Sequence, residues 1–553
     1  MDKWTVARTL DEISHYIELS DPNKFKARAF ERAARAVEGI VEDDMNAVVE
    51  RGRLTDISGI GKATAEVIVE IVRTGSSTYL EELRQQYPPG IFELLRVPGL
   101  GLKKIGLLHE TLGIGSLDDL EAAARAGKLA KLKGFGKKTE ETILEGIEFA
   151  KKRESLHLLP IGIEVGELVR ERLAELDAVE QVEVSGSVRR RLEVIRNVNI
   201  VIATKKREDV LRELPGVAAN LELLDDDTAK GTVRNEMEVL FHLTEPASFG
   251  TTLLRTTGSR EFVEAFETKA AKVPKARTED DVFEKAGIPF VEPERRESGE
   301  DLARKKRPKL VHYDDLRGTF HVHTTYSDGR NSVREMLTAA RSRGFEYVGL
   351  SDHSKAAYYA GGLTETQLVA QHAEIAAEEP EVAPMRVFRG TEADILQDGS
   401  IDYGAKTLAM FDFVIASVHS NFKMPQDEMT ARILRAMDDP HVTFLGHLTG
   451  RKLLAREGYS VEYDAIFDKA AETGVMIEIN GNPNRLDVDW RHLRRAVDRG
   501  VVFSIHPDAH SIGEYNAVIT GSWVARKAGL TAKEIFNTRS VEEVEEFLAA
   551  RKR

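Results

Sequence analysis

Hydrophobic positions change their spacing three times along the chain. Over the first 150 residues they recur at helical intervals, broken by short glycine-containing segments. From about Gly162 helix-like and strand-like stretches alternate, and Val182-Glu183-Val184-Ser185, Asn199–Ala203 and Glu238–Phe241 predict strands. Residues 292–316 are charged and Pro-interrupted, the pattern of a linker. After Leu316 short apolar runs (Val348–Leu350, Phe413–Ala416, Phe444–Gly446, Val475–Ile479, Val501–Ile505) alternate with amphipathic helices. That alternation predicts a β/α barrel-like domain with its functional groups at the C-terminal ends of the strands. The expected division is a helical domain at 1–80, a second at 81–155, an α+β domain at 156–258, a short segment at 259–291, the linker at 292–316 and the barrel at 317–553.

Composition narrows the classes. A chain of 553 residues exceeds what one core serves, so roughly three to five domains are expected. Cysteine is absent, which excludes disulfides, zinc ribbons and thiol catalysis and fits a cytoplasmic location. No apolar run approaches a membrane span, and Met1-Asp2-Lys3-Trp4 lacks the apolar core of a signal peptide, so no membrane partner is expected. A net charge of −14 argues against a uniformly basic nucleic-acid binder while leaving room for local basic clusters. Eleven of the fifteen histidines lie between His312 and His510, which places any metal chemistry in the second half.

One short pattern recurs in the helical region: Ile57-Ser58-Gly59-Ile60-Gly61-Lys62, Val97-Pro98-Gly99-Leu100-Gly101-Leu102-Lys103 and Leu132-Lys133-Gly134-Phe135-Gly136-Lys137. Each copy opens a helix. Its glycines permit a tight turn, the helix N-terminus adds partial positive charge, and a nearby lysine adds an ionic contact, so the group suits a backbone phosphate. One such turn is commonplace, but three of the same spacing are not. They resemble the helix-hairpin-helix motif of DNA repair proteins, which positions a protein on DNA without reading its sequence. Upstream, Asn23–Arg35 repeats basic residues at helical spacing, with Phe25, Ala29 and Ala33 on another face. Either a solvated face or a DNA-backbone face fits that pattern.

Gly186-Ser187-Val188-Arg189-Arg190 closes a strand and is followed by Glu193 and Asn197-Val198-Asn199. This resembles the palm of family X DNA polymerases, whose Gly-Ser-x-Arg-Arg turn leads at this spacing to Asp-x-Asp. The resemblance implies a third aspartate at the position of Leu240 and an aromatic pair at Arg255-Thr256, and the thumb-like segment looks shortened. A site that holds two divalent cations and a triphosphate needs those carboxylates; asparagine is a weak neutral ligand and leucine is none. Templated polymerisation is therefore expected to be lost or weak. Glu183, Glu193 and Glu238 are the acids that could rescue it, Glu238 being nearest to Leu240.

His321-Val322-His323-Thr324-Thr325-Tyr326-Ser327-Asp328-Gly329 packs two imidazoles and a carboxylate into one run. Imidazoles one residue apart on a strand share a face and can reach one ion. Further candidates end other predicted strands: His353, Glu392, His419, His447, Asp508 and His510. In this order the motifs resemble the PHP (polymerase and histidinol phosphatase) domain, and with the N-terminal half they resemble the bacterial and archaeal family X polymerases over nearly the whole chain. The resemblance implies a distorted (β/α)7 barrel and three divalent ions. His321, His323, Glu392 and Asp508 would hold one; Glu392 would bridge to a second held by His419 and His447; Asp328, His353 and His510 would hold a third. Glu392, Asp508 and His353 are the expected catalytic residues. Imidazole and carboxylate without thiolate suit Mn²⁺, Zn²⁺ or Fe²⁺, and family behaviour puts Mn²⁺ first. Asp352 and Asp394 are candidates to orient ligands. Tyr326, Arg451, Lys452, Asn480, Asn482 and Arg485 fall in or beside the rim loops, and His506 is open between ligand, proton donor and packed residue.

The expected function is DNA repair by a metal-dependent 3′–5′ exonuclease on a monomer that binds single-stranded, gapped or 3′-end DNA. Related chemistry at abasic sites or 3′-phosphates fits the same centre, and a lyase through Lys24 or Lys26 has less behind it. Three rivals stand beside it: an active polymerase with PHP proofreading, opposed by Asn197, Asn199 and Leu240; a DNA scaffold, which has no use for nine metal ligands; and a histidinol-type phosphatase, which needs no hairpins.

Overall fold

A computed structural model describes the chain except for Asp2, 21–23, Gly39, 41–43, Ser58, Lys152, Glu154, 234–236 and 552–553, and except for the side chains of Trp4, Ser20, Lys24 and Glu38. Asn23, Ser58 and the side chain of Lys24, which enter the motifs above, thus lie outside the described residues. Two compact units divide the chain, Met1–Ser155 and Leu156–Arg553. No helix among the described residues is long and apolar enough to cross a membrane.

The first unit is helical and packs Leu10, Phe30, Ile68, Leu94, Ile105 and Ile147 into one core. Its three glycine motifs share one conformation. Gly59, Gly99 and Gly134 take φ of +97°, +85° and +91°, where a side chain costs about 1–2 kcal/mol. Helices Lys62–Thr74, Leu102–Leu112 and Lys137–Lys151 follow directly. Lys62, Lys103 and Lys137 are exposed, and a Cβ placed on Gly61, Gly99, Gly101, Gly134 or Gly136 would touch nothing within 4 Å, so the turns are open to a phosphate. The basic helix Lys24–Glu38 corrects one expectation. It buries Ala27, Phe30, Ala33, Ala34 and Val37, whereas Phe25 is 77 % exposed.

The second unit opens with a five-stranded sheet: β1 (Gln181–Ser185), β2 (Asn197–Ala203), β3 (Ala219–Leu223), β4 (Thr228–Val233) and β5 (Met237–Thr244). Its order is β1-β2-β5-β4-β3, with only the β2–β5 pair parallel, and that pair sets Asn197 beside Glu238 and Asn199 beside Leu240. Phe262, Phe266, Phe283 and Leu302 form a small core of their own beyond it. Residues 292–316, expected as a linker, are packed instead. Arg296, wholly buried, pairs with Glu279; Arg295 pairs with Asp301; Leu302 and Val311 join two different cores. Several of the charges that made the segment look loose are paired, some within it and some with groups outside it.

Seven parallel strands then form a nearly closed barrel: β6 (Gly318–Val322), β7 (Tyr347–Leu350), β8 (Arg386–Asp394), β9 (Phe413–Ser417), β10 (Phe444–Leu445), β11 (Met476–Asn480) and β12 (Phe503–His506), paired in chain order. The seam between β6 and β12 is bridged at one end by the Val322–Ala509 pair. Lower down, the buried Asn537 side chain spans it, donating to Gly318 O and accepting from Ile505 N–H. Rings of Phe320, Phe388, Phe413 and Phe444 fill the lower lumen. Gly349 and Gly390 make room for them, since a Cβ there would lie 2.7 Å and 2.2 Å from the Phe413 ring.

Candidate metal centre

Above that aromatic floor every strand of the barrel delivers a ligating group. His321 and His323 come from β6, Asp328 from the turn after it, and His353 from the end of β7. Glu392 lies on β8, His419 and His447 follow β9 and β10, and Asp508 and His510 follow β12. The sequence showed six rim segments; the seventh strand is β11, whose Glu478 meets His321. His321 and Asp508 hold positive φ, +63° and +52°, backbone strain of about 1–3 kcal/mol each that only a tightly packed site sustains. At His321 the β6–β7 register shifts, so His321 and His323 converge through a bulge rather than by simple strand alternation.

The distances are short and shared. His321 Nε2 lies 3.3 Å from Glu392 and 3.5 Å from Asp508, and His323 Nε2 lies 3.6 Å and 3.4 Å from the same two. His419 and His447 approach the Glu392 Oε1 at 3.2 Å and 2.9 Å. Asp328 Oδ1 faces His353 at 3.6 Å and His510 at 3.3 Å. All nine expected ligands fall in the groups of ligating atoms lying within 4.8 Å of one another, which also include Glu478 and His506. His353 Nδ1 is 3.0 Å from Glu392, so the third group is not separate from the others.

Five buried imidazole nitrogens of the candidate ligands have no hydrogen-bond partner: His321 Nε2, both of His323, His353 Nδ1 and His447 Nδ1. Orphaned buried nitrogens are costly unless a cation occupies the space between them, so the residues fit divalent metal. Burial pushes the Glu392 and Asp508 carboxyls up, but His321, His419 and His353 around the first, and His321, His323 and His510 around the second, hold both well below the usual carboxylate range. Burial drives the His323 imidazole down to about 3, leaving it the neutral form a metal takes.

The surrounding groups set orientation. His321 Nδ1 donates to Glu478 at 2.5 Å, which turns Nε2 toward the carboxylates, and Asp394 holds His419 Nδ1 at 2.7 Å. His506, left open above, is wholly buried with Nδ1 on Glu478 and Nε2 on Ser504, both at 2.8 Å. Asp352 touches no ligand side chain; it accepts from Thr324 N–H and Oγ1 and from Ser327, fixing the turn that carries Asp328. Tyr326 is spent on Glu374, and Arg451 on Asp489 and the 485–486 carbonyls. Asn480 bridges Glu478 and Asp508. Lys452, Arg456, Arg485, Asn482 and Tyr359 line the cleft of about 520 Å³ above the ligands.

The palm positions present the opposite picture. Asn199 donates to Asn197 at 3.0 Å and meets His242 at 2.9 Å, while Asn197 reaches Glu238 at 3.5 Å. Arg189 is tied to Thr257 and Glu279, and Arg190 to Glu297. Gly186 turns with φ +67° against Asn199, and Ser187 sits within the short helix Gly186–Arg189. Glu193 pairs with Arg491 on the barrel. Among the described residues, no group of three or more ligating side chains lies here.

Comparison with known proteins finds related domains at both ends of the chain. The PHP domain model matches residues 319–482, a helix-hairpin-helix domain matches 1–77, and a SAM-like helix-hairpin-helix tandem matches 91–148. A Bacillus subtilis protein named DNA polymerase/3′-5′ exonuclease PolX is 34% identical over 99% of this chain and 99% of its own length. Probable phosphatases from Clostridium acetobutylicum and a Thermoanaerobacter species are 29% and 25% identical over 29% and 42% of this chain, covering 62% and 94% of their own lengths. Similarity to the first over the full length of both chains, with the PHP match, means that the chain belongs to the PolX-type family X DNA polymerases with a C-terminal PHP domain.

Proposed function

We propose that this protein removes nucleotides from DNA 3′ ends by hydrolysis at the PHP centre and no longer extends them. The carrying observation is the contrast between nine converging ligands with orphaned nitrogens in the barrel and an amide pair, Asn197 and Asn199, where the palm needs carboxylates. The family and the PHP fold support metal-dependent hydrolysis, and we assign three divalent ions, Mn²⁺ first, to the nine residues that converge in the barrel. Bound divalent ions would activate water and stabilise the oxygen that leaves.

The chain's own groups do the rest. The hairpin turns hold backbone phosphates without reading sequence. Lys452, Arg456 and Arg485 line the cleft and take the phosphates beside the scissile one. Arg485, 3.4 Å from Asp508, also balances the carboxylate floor. Glu478 and Asp394 keep His321 and His419 facing inward. Glu392, Asp508 and His353 are the residues assigned to act at the scissile bond. Water adds across the P–O3′ bond, releasing a 5′-monophosphate, and the 3′ oxygen of the shortened strand takes the proton.

Labelled single-stranded, duplex, hairpin and gapped DNA incubated with Mn²⁺, with and without deoxynucleotides, tests this. The expected result is stepwise shortening from the 3′ end, abolished by Glu392→Ala or His321→Ala with DNA binding retained. Templated extension by the wild-type chain would overturn the polymerase half of the reading, and cleavage by clean Glu392→Ala protein the nuclease half.

A further inference from the structure

The two most exposed large apolar side chains described on the barrel are adjacent. Tyr358 is 91 % and Tyr359 71 % exposed, on the short 3-10 turn Tyr358–Ala360 beside the metal cleft. Exposed rings side by side at a catalytic rim serve no packing purpose. We propose that Tyr358 and Tyr359 form a stacking platform for the bases of unpaired nucleotides at a DNA 3′ end, a proposal that rests on the exonuclease reading.

The turn beneath them is built to hold a position. Ala357, Ala360 and Leu363 are buried, Ala357 N–H donates to Ser354 O at 3.0 Å, and Leu363 N–H donates to His353 O at 2.8 Å. Tyr403 Oη donates to Leu363 O at 2.6 Å. Gly362 packs so closely that a Cβ there would lie 1.8 Å from Ser354 O. The turn is therefore anchored to the segment that carries the ligand His353, and the Tyr359 ring centre lies 6.4 Å from those of both His353 and His419.

Tyr359 shares the cleft wall with Lys452, Arg456 and Arg485. Cations for the phosphates and aromatic faces for the bases are the two components of a single-strand groove. Tyrosine supplies a large rigid face at low entropic cost. A paired base has its faces covered by its neighbours, so such a platform selects ends whose last one or two nucleotides are unpaired. Every base has a π face, so the selection is for strandedness rather than sequence.

Two substrates separate this proposal from the one beneath it. Single-stranded DNA carries bases; methyl p-nitrophenyl phosphate is a phosphodiester without them. Tyr359→Ala should raise KM for the single strand roughly 5- to 150-fold, with a smaller effect for Tyr358→Ala. Both variants should hydrolyse the small diester with Mn²⁺ as the wild type does, and Tyr359→Phe should behave as wild type on both. Binding is read independently with an oligonucleotide carrying a 3′-terminal 2-aminopurine and a hydrolysis-resistant phosphorothioate at its last linkage. Its fluorescence should change on binding wild type and Tyr359→Phe but not the double alanine variant. Both residues are exposed, so thermal melting should be unchanged. Wild-type KM and fluorescence in the alanine variants would overturn the platform. Failure of the wild type on both substrates would overturn the exonuclease reading, and the 2-aminopurine signal would still decide the platform.

Discussion

Glu478 shows how one residue governs a ligand it does not replace. It holds His321 Nδ1 and accepts from His447 N–H at 3.0 Å, from Asn480 and from His506, so four groups depend on one buried carboxylate. Burial pushes its carboxyl up, and His321 and His506 outweigh that, so it remains ionised. Glu478→Gln should weaken Mn²⁺ binding about 10- to 100-fold, read by titration of free Mn²⁺ by electron paramagnetic resonance. A merely structural role would lower the melting temperature and leave that affinity alone. The nine candidate ligands were legible because each is a ligating residue type at or near the end of an apolar run. Glu478 was not, because the sequence shows a charge inside Met476–Asn480 and only the closed barrel sets it against β6. The tyrosine pair escaped notice for the same reason: exposure is a property of the assembled rim.

At the level of elements, the helical hairpins were the most legible part of the molecule. The requirement for positive φ at Gly59, Gly99 and Gly134 is local, so the motif shows it without any tertiary context. Two predictions follow from that geometry. Gly99→Val should cost about 1–2 kcal/mol of stability through its backbone alone, seen in urea unfolding, and should weaken DNA binding. Lys103→Ala should reduce the slope of log binding constant against log salt by about 0.9 on duplex DNA, measured by fluorescence anisotropy, with no dependence on sequence. The helix Lys24–Glu38 was misread because its residues allow more than one apolar face. Which face turns inward is settled by packing, and Ala27, Phe30 and Ala34 were chosen over Phe25. Lys26, raised as a lyase candidate, donates to Tyr79 at 2.6 Å.

Across the larger unit, the palm and the barrel are fastened through charge. Lys527 is 2 % exposed; its Nζ donates to Glu297 and to the carbonyls of Arg190 and Glu294. Glu297 also receives Arg190, Arg491 reaches Glu193, and Arg526 reaches Glu294. Removing one partner strands a buried charge, so Lys527→Ala should destabilise this unit by about 3–5 kcal/mol, read by urea unfolding. Burial raises the Glu297 carboxyl, but Lys527 and Arg190 hold it below the usual range. A depressed carboxylate contributes stability above its unfolded value, about 4.3, and loses it as pH falls through the folded value. The urea midpoint should therefore drop on acidification below about pH 4, and Glu297→Gln should show a smaller drop. The same arginine that closes this contact belongs to the Gly186–Arg190 turn, so that turn helps fasten the palm to the barrel. By itself the sequence determined the helical hairpins, the amides at Asn197 and Asn199 and the nine candidate ligands, because each is a local matter of residue type and spacing. Only the tertiary structure decided that residues 292–316 are packed, that Glu478 governs His321, and that two tyrosines stand open beside the cleft. Those facts depend on which distant groups meet, and burial, charge pairing and exposure exist only once the chain has closed on itself.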